Sequence, residues 1–129
     1  MTFCSSVIQV RKVEHGTSIS YGRIFYTDGL RKIAMISAGY ADGLSRSLSN
    51  KGNVLIHGQK ARIIGRVCMN LTVADVTAIK GVKKGDRVYF LGKEKENAIT
   101  SDDIARWADT ISYEVLCSLG SRNNREYIN

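Results

Sequence analysis

Seven short apolar runs, several bounded by turn signals, limit most severely what this chain can fold into. They occupy residues 4–13, 18–26, 31–37, 53–58, 60–69, 71–77 and 86–92. The 60–69 run alternates: Ala61, Ile63, Gly65, Val67 and Met69 share one face, Arg62, Ile64, Arg66, Cys68 and Asn70 the other. The chain has no proline, so glycine makes the turns. His15-Gly16 ends the first run, Asp28-Gly29 is a hairpin signal, His57-Gly58 ends the fourth, and Lys84-Gly85-Asp86 precedes the last. Strands at such regular spacing predict a closed or sandwiched β domain.

The pattern changes after Glu96. Thr100 is a predicted N-cap, and Asp102 and Asp103 suit the positive end of a helix dipole. Ile104, Trp107, Ala108 and Ile111 then fall at helical spacing. The segment 110–120 predicts a second short helix with Gly120 just past its end, and 125–128 a final strand. With 129 residues there is room for one domain with a real core.

Composition narrows the function classes. No apolar run approaches the roughly 18 residues of a membrane span, and the start lacks the apolar stretch of a signal peptide. Cys4, Cys68 and Cys117 are widely spaced and read as reduced, partly buried thiols. His15 and His57 sit beside glycines in predicted turns and read as surface residues, so no metal site is expected. The net charge of +7 permits an anionic partner, but the basic residues are dispersed, which argues against a nucleic-acid module. There is no Gly-x-Ser-x-Gly elbow, and 38–43 (AGYADG) is not a dinucleotide phosphate loop. From these motifs the chain is not a complete enzyme.

The segments ISYGRIFY, SAGYADGLSRSLSNKG, VLIHGQKARIIGRVCMN and TISYEVLCSLGSR, in this order from about Val7 to Tyr127, resemble the C-terminal domain of alanine racemases. Their spacing makes GYADG and GRVCM together a specific signal. The resemblance implies a mainly β domain, a Greek-key β-barrel of about six to eight strands with two short helices near the C-terminus. It implies one domain over 1–129, with the family's N-terminal (β/α)₈ barrel absent. That barrel would carry pyridoxal 5'-phosphate on a lysine, and the cofactor would be the electron sink for a carbanion at the substrate's α-carbon.

Racemisation then needs one base on each face of that carbon. The resemblance gives one role to the barrel's lysine and the other to Tyr21, which would serve the partner subunit's site. A free phenol titrates near 10, so positive or hydrogen-bonding neighbours would have to favour its ionised form. Tyr40 would line the inner substrate entrance. Tyr113 would contact the cofactor phosphate, and the Met69 main-chain N–H would hold the substrate carboxylate. Arg46, Arg66, Asn70 and Ile111 would lie further out along the entrance. Asn70 stands where many family members have aspartate. Tyr26, Tyr89 and Tyr127 have no matching role and read as packing or surface aromatics.

The implied partners are the N-terminal barrel, a second copy in a head-to-tail homodimer, and a small amino acid, in the cytoplasm, without nucleic acid or membrane contact. The domain alone would be inactive and would expose an apolar face. The alternatives are a racemase for serine or another small amino acid and, in another class, a basic β-barrel that binds nucleic acid.

Overall fold

The computed structural model describes residues 1–19 and 25–123. Among the described residues nine strands come first: β1 (Phe3–Val13), β2 (Ser18–Ile19), β3 (Phe25–Tyr26), β4 (Arg31–Ile36), β5 (Asn53–Ile56), β6 (Gln59–Arg62), β7 (Thr72–Asp75), β8 (Arg87–Glu94) and β9 (Asn97–Ile99). Two helices follow, α1 (Ser101–Ala108) and α2 (Ser112–Arg122). The main sheet is antiparallel, in the order β6-β5-β8-β1-β4-β7, with β9 paired to β8. The expected mainly β architecture with two C-terminal helices is therefore present.

β1 joins the two halves of this sheet. Its first residues pair with β8, from Phe3 opposite Leu91 to Ser6 opposite Arg87. Its remainder pairs with β4, from Val7 opposite Ile36 to Val13 opposite Arg31. The β4 register shifts between Val7 and Gln9, and such an irregularity bends a strand and increases its twist. The two ends of the strand path meet only at a single bridge, Ile63 opposite Ala74. The sheet curls round without a continuous closing ladder, within the mainly β architecture expected.

The core follows from the strand pattern. Val54, Leu55 and Ile56 of β5, Val88 and Phe90 of β8, and Ile36 of β4 are all essentially fully buried. Ile104, Ala105, Val115 and Leu119 bring α1 and α2 onto the same apolar cluster. The start of α1 is fixed by a capping box. Asp103 N–H donates to Thr100 Oγ1, and Thr100 N–H donates back to Asp103 Oδ2.

Four local expectations change, and one strand is new. The 18–26 run is not one strand, because Ser18 pairs with Tyr26 and Ile19 with Phe25. Asp28-Gly29 does not close a hairpin between paired strands, since β4 pairs with β1 and β7 rather than β3. The alternating 60–69 run stops being a strand after Arg62, and Gly65, at φ +75°, turns the backbone out of the sheet. Gly120 lies inside α2 rather than beyond it, and the helix ends at Asn123. Strand β9 has too little apolar content to register as a strand from sequence. The expected strand at 125–128, and Tyr127 with it, lie outside the described residues.

The isolated thiols are also more open than expected. All three cysteines are free, but Cys4 and Cys117 are exposed and only Cys68 is half-buried. His15 is exposed, whereas His57 is half-buried and 2.7 Å from Asp86 Oδ2.

Candidate active-site face

The residues 39–43 form the most tightly seated loop of this face. Gly39 leads into a single 3₁₀ turn, Tyr40–Asp42, and Gly43 leaves it at φ +97°. Gly39 N–H donates to Asp42 Oδ2 at 2.9 Å, which locks the turn from within. The turn lies directly on the backbone of the segment after β6. Tyr40 N–H donates to Cys68 C=O and Ala41 N–H to Met69 C=O, each at 2.9 Å. A β-carbon on Gly39 would sit 2.1 Å from the Cys68 carbonyl oxygen, so only glycine permits this approach.

The segment 68–72 is held in turn by the fold below it. Cys68 N–H donates to Leu71 C=O at 2.9 Å. The buried Thr72 hydroxyl donates to Ala38 C=O at 2.7 Å, tying β7 to the start of the Tyr40 loop. Both carbonyls of Cys68 and Met69 are thus occupied, while the Met69 N–H has no acceptor among the described residues. That amide belongs to an exposed residue.

Helix α2 packs against the other side of the turn. A β-carbon on Gly43 would meet the Ser118 carbonyl oxygen at 2.4 Å. Asn123 Nδ2 donates to Asp42 C=O and to Leu119 C=O, both at 2.7 Å. At the other end of α2, Ile111 is the N-cap residue and offers no side-chain cap. Tyr113 therefore projects from an exposed helix start.

Four large side chains stay in the open on these elements: Tyr40 at 37% exposure, Met69 at 54%, Ile111 at 64% and Tyr113 at 77%. A lone exposed apolar residue is ordinary, but these four sit on backbone segments that pack together or share one helix. The Arg46 guanidinium lies over the Tyr40 ring, 5.7 Å from its centroid, in cation–π range. Arg66 is half-buried, and its Nε is enclosed without a hydrogen-bond partner among the described residues. Asn70 is exposed beside Met69.

The structure thus brings Tyr40 and Met69 together and places Arg46 against Tyr40. Tyr21, the residue expected to do proton chemistry, lies outside the described residues. Asp42, Thr72 and Asn123, which hold the loop in place, were not singled out from sequence. Thr72 looked like an ordinary strand residue, and Asn123 lies past the helix end predicted from Gly120. Among the described residues no group of three or more His, Cys, Asp or Glu side chains could hold a metal. No helix among them is long and apolar enough to cross a membrane.

Comparison with known proteins places this arrangement. Residues 1–127 match the family model "Alanine racemase, C-terminal domain". A relative named alanine racemase from Geobacter sulfurreducens is 45% identical over 130 residues, which cover 100% of this chain and 34% of that protein. The crystal structure of alanine racemase from D-cycloserine-producing Streptomyces lavendulae superposes with a TM-score of 0.92 at 35% identity, covering 100% of this chain and 34% of that one. The structure of the Bartonella henselae alanine racemase, described with covalently bound pyridoxal phosphate, matches with a TM-score of 0.89 at 34% identity over 98% of this chain and 34% of that one. The chain therefore spans about a third of the length of these relatives. By a family match that runs from its first residue almost to its last, this chain belongs to the alanine racemase C-terminal domain family.

Proposed function

We propose that this chain is the C-terminal part of a pyridoxal-phosphate-dependent racemase that interconverts L- and D-alanine. In this role it completes an active site whose cofactor is held by an N-terminal barrel. The observation that carries the proposal is the Tyr40–Met69 seat: a main-chain N–H with no acceptor among the described residues, on a segment joined to the tyrosine's turn by two backbone hydrogen bonds. An amino-acid carboxylate is the ligand such an amide suits, because a charged acceptor strengthens the hydrogen bond. Arg46 and Arg66 add positive charge at or near this face and would draw an anionic group towards it.

When bound, pyridoxal phosphate supplies the electron sink that acidifies the substrate's α-hydrogen. What this chain offers the cofactor is narrow. The Tyr113 phenol is highly exposed and has no hydrogen-bond partner among the described residues, so it can donate to a phosphate oxygen presented from outside. That fits a contact to a cofactor held elsewhere rather than a complete binding pocket. Tyr21 takes or returns the α-proton on one face, the L-alanine side. Met69 N–H fixes the carboxylate and with it the position of the α-carbon. Tyr40 and Ile111 narrow the approach, and Asn70 lies beside it.

The functional unit is then a homodimer in which each site draws residues from both subunits. The exposed Tyr40, Met69, Ile111 and Tyr113 would be covered in that assembly, and the chain by itself would be inactive. The test joins this chain to the remaining N-terminal part of the Geobacter sulfurreducens relative and supplies pyridoxal phosphate. Racemisation of alanine with native Tyr21, and its loss with Tyr21→Phe, support the proposal. No racemisation from a folded, cofactor-loaded protein overturns it, as does full activity in Tyr21→Phe.

A further inference from the structure

The geometry points to Asn123 as a positioning residue that holds the Tyr40 turn in register with Met69, a role that rests on the proposed function above. Asn123 ends α2 in an extended conformation, φ −129° and ψ 153°. Its side-chain amide nitrogen has two hydrogens, and each has a carbonyl to meet. One bond goes to Leu119 C=O, a carbonyl of the last helical turn that would otherwise lack an intrahelical donor. The other goes to Asp42 C=O, at the end of the turn that carries Tyr40, across 81 positions of sequence.

Two independent contacts make this bond consequential. On its far side the turn is fixed by Tyr40 N–H to Cys68 and Ala41 N–H to Met69. On its near side Gly43 abuts the Ser118 backbone so closely that a β-carbon could not fit. The turn is therefore sandwiched between α2 and the Met69 segment, with Asn123 as the side-chain clamp on the helix side. Among the described residues Asn123 makes no hydrogen bond to Tyr40, Met69 or Tyr113. Its influence passes through backbone: Asn123 to Asp42, through the turn to Tyr40 and Ala41, and across to Cys68 and Met69.

Amide hydrogen exchange on the full 129-residue chain reads this directly. Asn123→Ala removes both donors, and exchange at the Tyr40 and Ala41 amides is expected to rise about tenfold while amides of β5 and β8 are unchanged. Asn123→Gln keeps the carboxamide on a longer arm and should restore part of the protection. Unchanged Tyr40 and Ala41 amides in Asn123→Ala would overturn the inference. So would faster exchange spread evenly over β5 and β8, which marks a merely stabilising residue, or no restoration by glutamine.

In the joined protein described above, Asn123→Ala should raise KM for alanine about fivefold and leave kcat within about twofold. A fall in kcat at unchanged KM would contradict the role. If the parent joined protein does not racemise alanine, the functional proposal fails, and the exchange measurement alone decides whether Asn123 holds the turn.

Discussion

Replacing Gly39 with alanine tests how the face is built. The native φ of −154° lies outside the left-handed region, so backbone strain is not the issue. The difficulty is space. The new β-carbon would lie 2.1 Å from the Cys68 carbonyl oxygen, 2.5 Å from that of Met69 and 2.6 Å from the Met69 carbonyl carbon. Real β-carbons do not approach closer than 3.0 Å, so the first contact must open by 0.9 Å (3.0 − 2.1). These atoms belong to backbone and cannot rotate aside.

The retreat pulls the Tyr40–Cys68 and Ala41–Met69 hydrogen bonds, each now 2.9 Å, out of range. At about 1 kcal/mol for each bond, the loss is about 2 kcal/mol before any repacking is counted. Urea unfolding monitored by Trp107 fluorescence measures it, as a lower midpoint with an unchanged slope. Gly29→Ala is the control: a β-carbon there meets nothing within 4 Å, and stability should stay within about 0.5 kcal/mol or rise slightly. If Gly39→Ala also stays within about 0.5 kcal/mol of the parent, the close backbone approach is not what seats the Tyr40 turn.

Other perturbations separate helix, core and electrostatics. Thr100→Ala removes half of the α1 capping box and should cost about 1 kcal/mol in the same urea assay. Phe90→Ala empties a core position that is 2% exposed and should cost about 3–5 kcal/mol, with a matching drop in thermal midpoint. Backbone N–H donors hold two carboxyls below the usual range, that of Lys83 for Asp86 and that of Thr100 for Asp103, with His57 and Arg106 as lesser causes. Because the folded values are the lower ones, this stabilisation is complete above the unfolded value near 3.9 and is lost as pH falls through the folded values. Urea midpoints should therefore fall below about pH 4, and Asp86→Asn should flatten that decline.

The sequence signals that succeeded were those of local periodicity and capping. Val54, Leu55 and Ile56 form a run that can only be buried, and Thr100 with Asp103 has the spacing of a cap. The failures share a physical cause: pairing between distant segments decides them. Nothing local in 18–26 says that Ser18 faces Tyr26, and nothing in 60–69 says that the strand ends at Arg62. The alternation runs on through Met69 while Gly65 turns the chain away. On the candidate site, Tyr40 and Met69 were readable only through resemblance to a family. Their juxtaposition depends on Gly39 lying against the Cys68 carbonyl, a contact made between residues 29 positions apart. Asn123 was invisible because Gly120 looked like a helix stop, whereas α2 tolerates that glycine inside and ends three residues later.

On the proposed function, this domain brings one of two opposed bases to a carbon whose carboxylate rests on the Met69 amide. Exchange of the α-hydrogen in D₂O, followed by proton NMR with L-alanine and D-alanine separately, tests it most directly in the joined, cofactor-loaded protein. Deuterium should enter both enantiomers with native Tyr21. With Tyr21→Phe, exchange from L-alanine should be lost while exchange from D-alanine persists. Equal exchange from both enantiomers in Tyr21→Phe would contradict it.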